Sequence, residues 1–107
     1  MRRLVMATVA AILMAGSPAL AADAAAGKTV YEAKCRTCHA PDGAGNPGIA
    51  KAMGVTLKPL GGDEVQKMSD ADLKKVITTG SGKMKPPAGV TPAQADDVVA
   101  YVRTLKK

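Results

Sequence analysis

The chain has no Trp and no Phe, and its only aromatic residues of that size are Tyr31 and Tyr101. Large rings dominate the buried area of most small cores. A core restricted to Val, Leu, Ile and Ala in a chain of 107 residues is therefore marginal by itself. There is one histidine, His39, and there are two cysteines, Cys35 and Cys38. A structural zinc site needs four such ligands, and no further Cys or His exists to complete one. The formal net charge is +6, but no basic run exceeds two residues and no aromatic platform exists for bases to stack on. Nucleic acid is thus a poor match. After Ala22 no segment approaches the roughly 20 apolar residues needed to span a bilayer. Strand-like alternation, internal repeats and a second domain are also missing.

The first residues form a recognisable unit. Met1-Arg2-Arg3 is followed by the apolar run Leu4–Met14, then by Gly16-Ser17-Pro18 and Ala19-Leu20-Ala21. A short basic start, an apolar middle and an A-x-A ending describe a secretory signal peptide. Residues 1–21 are expected to be removed on export to the periplasm, with cleavage after Ala22 nearly as well placed. Pro18 and the run of small residues argue against a retained membrane anchor. Residues 22–107 are then one small domain. Losing Arg2 and Arg3 lowers the net charge from +6 to +4, still basic enough to speed encounter with acidic protein surfaces.

The residues richest in chemistry are Cys35-Arg36-Thr37-Cys38-His39. C-x-x-C-H is the pattern of c-type haem attachment. Each thiol adds across one haem vinyl group, so the porphyrin is held by two thioethers. On a helical turn positions i and i+3 share a face, so Cys35 and Cys38 can reach two neighbouring vinyls. His39 follows directly and can serve as the proximal iron ligand. A thioredoxin-like dithiol would need a strand–helix context that is absent, and a plain disulfide would leave His39 unexplained. A covalently held haem would also supply the apolar bulk that the composition lacks.

Four helical segments stand out, giving an all-α chain. The first runs from about Asp23 to Cys35, with Gly27, Tyr31 and Cys35 on one face. A mid-helix glycine costs about 1 kcal/mol against Ala, which predicts a close backbone approach at Gly27. Residues 40–48 read as a loop because Pro and Gly are dense there. A short helix fits 49–53, capped by Gly54, and 57–62 is another connection. Ser69 caps a third helix with Asp70 and Asp72 in its first turn, Leu73, Val76 and Ile77 along its apolar stripe, and Gly80 at its end. Thr91-Pro92-Ala93-Gln94 opens the fourth with a capping box. Its apolar side is Ala95, Val98, Val99, Val102 and Leu105, beside Tyr101.

Taken together, the chain resembles a small monohaem class I cytochrome c of the short bacterial periplasmic type. The likeness rests on Gly27 and Tyr31 before Cys35–His39, on a middle helix ending at Gly80 before Gly82-Lys83-Met84-Lys85-Pro86, and on Tyr101 within Val98–Val102. It covers essentially all of residues 22–107. It implies a cytochrome c fold of three to four helices wrapped around one haem, with the first and last helices crossing at near right angles and Tyr31 and Tyr101 flanking the crossing. It also implies a methionine sulfur as second iron ligand. The candidates are Met53, Met68 and Met84. Met53 ends a short helix and reads as core filler. Met68 precedes the Ser69 cap as a hydrophobic staple. Met84 has no helical stripe to belong to, so the assignment falls on it, stiffened by Pro86 and Pro87. Lys85 between Met84 and Pro86 departs from many members. In the family a proline carbonyl accepts from the ligand histidine; Pro47 matches loosely by position, and Pro41 less well.

The function implied is one-electron carriage by a His/Met-ligated haem c, without enzymatic turnover, in a monomer that is not membrane-inserted after signal cleavage. The expected partners are redox proteins with acidic docking surfaces, steered by a positive rim of Arg36, Lys83 and Lys85, with Lys34, Lys51 and Lys58 as further contributors. The rival is a haem gas sensor or peroxidase-like enzyme with a vacated sixth site. A third reading is a dedicated subunit of an oxidase or dehydrogenase complex.

Overall fold

A computed structural model describes residues 22–107. The expected signal peptide at 1–21 lies outside the described residues. Six helical segments follow one another: α1 (Ala24–Lys34), α2 (Arg36–His39), α3 (Pro47–Met53), α4 (Asp63–Gln66), α5 (Asp70–Thr79) and α6 (Pro92–Thr104). Among the described residues there is no strand beyond an isolated bridge between Ser81 and Met84. No described helix is long and apolar enough to cross a membrane.

The helix starts follow local chemistry. Asp23 caps α1 by accepting from the Ala25 and Ala26 N–H groups. The Ser69 hydroxyl accepts from Asp72 N–H at 3.1 Å, and Asp70 and Asp72 sit where the α5 dipole is positive. Thr91 and Gln94 form the full capping box of α6, with Pro92 at its first position. One start differs from expectation. Instead of a loop to Gly48, α3 begins at Pro47, because Asn46 Oδ1 accepts from the Gly48 and Ile49 N–H groups. Proline at the first helical position after an asparagine cap starts a helix rather than prolonging a loop. The short α4 was also not expected.

The core is small and built from the expected faces. Ala95, Val98, Val99 and Val102 of α6 are buried, with Leu73 and Ile77 of α5, Val65 of α4 and Tyr31 of α1. Helix α6 packs against both α1 and α5. Lys74 pairs with Asp96 across α5 and α6 at 3.1 Å. Arg103 joins Asp70 to the carbonyls of Gln66 and Met68. Gln66 in turn donates to the Leu60 and Val102 carbonyls at 2.8 and 3.0 Å. This clasp holds the 60–70 segment against α6.

Gly27 is the contact point of α1 and α6. A Cβ there would overlap the Asp97 carbonyl and lie 2.9 Å from Val98 N. Gly27→Ala gains about 1 kcal/mol of helix propensity, but both overlapping groups are helix backbone and cannot swing aside. Overpacking of this kind costs about 1–3 kcal/mol or more. The variant is expected to melt several degrees below wild type in a thermal scan. An equal or higher midpoint would mean that the crossing separates freely.

Candidate functional site

The motif occupies a single helical turn at the end of α1. Cys35 is the last residue of that helix in effect: its N–H donates to the Tyr31 carbonyl at 2.8 Å, and its own carbonyl accepts from His39 N–H at 3.0 Å. Cys35, Cys38 and His39 are therefore held at i, i+3 and i+4 on one face, as the spacing requires. A four-residue helix leaves its carbonyls without intrahelical partners. The following loop supplies them. Asn46 N–H donates to the Cys38 carbonyl at 2.8 Å, its side-chain amide to Thr37 at 3.2 Å, and Gly45 N–H to His39 at 2.9 Å. Asn46 thus closes the motif turn and opens α3 at once. The sequence carried one signal for it, an Asn immediately before Pro.

Met84 arrives from the other side of the chain. Ser81 and Met84 exchange both backbone hydrogen bonds at 2.9 Å, so Gly82 and Lys83 form a tight turn with Gly82 at φ 55°. Gly80 lies beneath it with φ 81°, and a Cβ there would meet the Met84 carbonyl at 2.6 Å and Pro86 Cδ at 2.9 Å. Gly80 therefore ends α5 and makes room for the methionine loop. Lys83 Nζ donates to the Met53 carbonyl at 2.6 Å, tying this loop to the end of α3.

Two cavities of about 330 and 560 Å³ share Cys35, His39, Thr56, Leu57, Ser81 and Met84 in their walls. They form one cleft. Its inner part is apolar, with Leu60, Val65, Leu73, Ile77, Val98 and Val102 behind it. Its outer part also touches Cys38, Met53, Val55 and Pro87. Both cysteines are free thiols. Burial, with the neighbouring Cys38, pushes the Cys35 thiol up to about 11. Burial also lowers the His39 pKa, favouring the neutral imidazole that binds metals. His39 Nδ1 is buried without a hydrogen-bond partner, so neither Pro47 nor Pro41 accepts from it. Pro47 stands at the first position of α3, where a helical carbonyl is directed along the axis. Two thiols and an imidazole beside one apolar cleft fit covalent haem c, and the Met84 thioether lines the same cleft.

The comparisons with known proteins agree. The family model described as cytochrome C oxidase, cbb3-type, subunit III matches residues 22–102. The chain belongs to the cytochrome c family. It is similar to cytochrome c-554(547) of Halothiobacillus neapolitanus, 40% identical over 91 residues, which are 80% of this chain and 100% of the relative. It is also similar to cytochrome c6 of Rippkaea orientalis, 36% identical over 94 residues, covering 84% of this chain and 78% of the relative. Among solved structures, the c-type cytochrome KustC0563 superposes with a TM-score of 0.64 at 30% identity, covering 76% of this chain and 98% of that one. This cytochrome is accordingly a small monohaem class I protein with covalently bound haem c, an electron carrier and not an enzyme.

Other expected residues of the cytochrome fall out unequally. Met68 lies half-buried against the core and lines the inner cleft. Met53 is not core filler: it is 37% exposed and lines the outer cleft. The short α3 has no buried residue, so its last side chain faces the cleft mouth rather than the core. Of the basic rim, Lys34, Lys83 and Lys85 line the outer cleft, while Lys58 lines the inner one and pairs with Glu64 at 3.3 Å. Arg36 and Lys51 line neither. Thr56 and Leu57, in a connection without pattern, were not singled out by sequence and stand in both walls.

Proposed function

We propose that this cytochrome is an exported periplasmic one-electron carrier in which Cys35 and Cys38 form the thioethers to haem and His39 and Met84 are its axial ligands. The observation that carries the reading is that Cys35, His39 and Met84 line both halves of one apolar cleft. The bound haem supplies an Fe(III)/Fe(II) couple. The chain's residues do the rest. Val65, Leu73, Ile77, Val98 and Val102 exclude water from the inner wall, which favours the less charged ferrous form. The Met84 thioether favours it too. With haem held by these residues, the packed core behind the inner wall would keep rearrangement on electron transfer small.

The outer cleft, with Lys34, Lys83 and Lys85 beside Met53, Val55 and Pro87, is the face we assign to redox partners with acidic docking surfaces. Residues 1–21 act as the signal peptide in this reading, and residues 22–107 are the mature, monomeric domain. The family description names an oxidase subunit, but the whole of the c-554(547) relative is matched by 80% of this chain, which supports a free-standing small cytochrome.

The test is the absorption spectrum of the purified protein in both redox states. Reduced protein is expected to show sharp visible bands unchanged by carbon monoxide, and ferric protein a weak near-infrared sulfur-to-iron band. Ready binding of carbon monoxide by wild type would favour the gas-sensor or peroxidase-like alternative instead.

A further inference from the structure

Ala40 directly follows His39 and has φ 66° and ψ 164°, the only positive φ of a non-glycine residue among the described residues. That region is populated almost only by glycine and costs other residues free energy unless the surroundings enforce it. Two donors enforce it here. The Tyr31 hydroxyl donates to the Ala40 carbonyl at 2.5 Å, and Gly43 N–H donates to the same oxygen at 3.2 Å.

Tyr31 is well suited to hold something in place. It is 1% exposed, one turn beyond Gly27 at the α1–α6 contact, and its ring lies 5.1 Å from that of Tyr101. It also lines the inner cleft beside Cys35 and His39. Packing alone does not account for the hydroxyl. A phenylalanine would fill the same space without a buried polar atom that needs a partner.

We propose that Tyr31 is a positioning residue for His39: its hydroxyl, anchored at the α1–α6 contact, holds Ala40 in a glycine-like conformation and so fixes how the chain leaves the haem-binding turn. The inference rests on the reading of His39 as an axial ligand, which the wild-type spectrum tests independently. His39 N–H is held by the Cys35 carbonyl, while its own carbonyl is fixed by Gly45 N–H beyond Ala40, so the backbone on the C-terminal side of the imidazole depends on the Ala40 conformation. If Ala40 relaxes, the turn loosens and water gains access to the inner cleft. Solvent access favours the more highly charged ferric state, so the potential falls.

The experiment compares Tyr31→Phe, Ala40→Gly and the double variant as holoproteins, by midpoint potential and by denaturant midpoint. Tyr31→Phe is expected to shift the reduction equilibrium at least threefold toward ferric, about 28 mV at 59 mV per decade. Ala40→Gly adopts the conformation without strain, so it should keep the wild-type potential and raise the denaturant midpoint. In the Ala40→Gly background the effect of Tyr31→Phe on potential should shrink by half or more. A Tyr31→Phe variant that is less stable but unshifted in potential would make Tyr31 a packing residue only and overturn the proposal. A shift of undiminished size in the glycine background would also overturn it, because the hydroxyl would then act without Ala40. Should Tyr31→Phe alone give no holoprotein, the glycine pair still decides: holoprotein recovered in the Ala40→Gly background with potentials within about 14 mV upholds the proposal, and no recovery or a larger difference refutes it.

Discussion

Replacing Cys35 and Cys38 together by Ala is expected to leave no haem on the denatured chain, and the resulting haem-free protein is expected to lose most of its helicity. The first half follows from attachment chemistry, since no other thiol exists to form a thioether. The second half follows from the core. Among the described residues the buried hydrophobic side chains are one tyrosine, one alanine and six aliphatic residues, and all but Ala95 face a cavity of about 330 Å³. Kept as a void, that cavity would cost up to about 8 kcal/mol at roughly 24 cal/mol per Å³. Small domains have only about 5–15 kcal/mol in all. Water entering the open side relieves part of the cost, but wetting Leu73, Ile77, Val98 and Val102 removes the burial that stabilises α5 and α6. The chain therefore either collapses inward or unfolds, and six short helical segments without aromatic filling favour unfolding. Solvent extraction of the denatured double variant checks attachment. Circular dichroism of the haem-free chain checks folding. Haem that stayed on the chain would refute the thioether assignment; full helicity with a cooperative melt would show that the core stands without its cofactor.

The parts of this site that were legible in the sequence are those in which neighbours along the chain do the work. The Cys35–His39 turn, the Ser69 cap and the Thr91–Gln94 box are contacts within four residues, so their residue types declare them. Gly27 was legible for another reason: a costly residue in a helical pattern demands a cause, and the Asp97 carbonyl is that cause. The start of α3 departs from the pattern because position relative to the Asn46 cap, not residue type alone, decides whether Pro47 and Gly48 break a helix or open one. Met53 departs from the core position its pattern suggests because helix pattern does not show which side of a short helix meets the core and which meets the cleft mouth. Ala40 carried no signal at all. Its carbonyl accepts from the Tyr31 hydroxyl, nine residues earlier, as well as from the nearby Gly43 N–H. The Lys83 bond to the Met53 carbonyl spans 30 residues and is equally silent in the sequence.

Met84→Ala is expected to abolish the near-infrared band of the ferric protein, to let the reduced protein bind carbon monoxide, and to lower the potential by about one decade in equilibrium constant or more, roughly 59 mV. The matched controls are Met53→Ala and Met68→Ala, both expected to keep the band and to exclude carbon monoxide. The structure makes these controls demanding, because all three methionines line the cleft: Met84 both parts, Met68 the inner and Met53 the outer. What separates them is how each is held. Met68 packs against the core cluster beside the Ser69 cap, so its truncation should cost stability, at most the 2–5 kcal/mol of a buried Met→Ala change, without touching ligation. Met53 is 37% exposed at a helix end and its truncation should cost little of either. Met84 alone sits in a turn fixed on every side: by the paired bonds with Ser81, by the Gly80 backbone beneath its carbonyl, by Pro86 beyond it, and by Lys83 anchored to α3. A ligand loop so restrained loses little conformational entropy when its sulfur binds, whereas a loop methionine serving only to cover the core would not need such restraint. Survival of the band in Met84→Ala, or its loss in Met68→Ala, would move the sixth ligand to another methionine and leave the turn at Ser81–Met84 without a function.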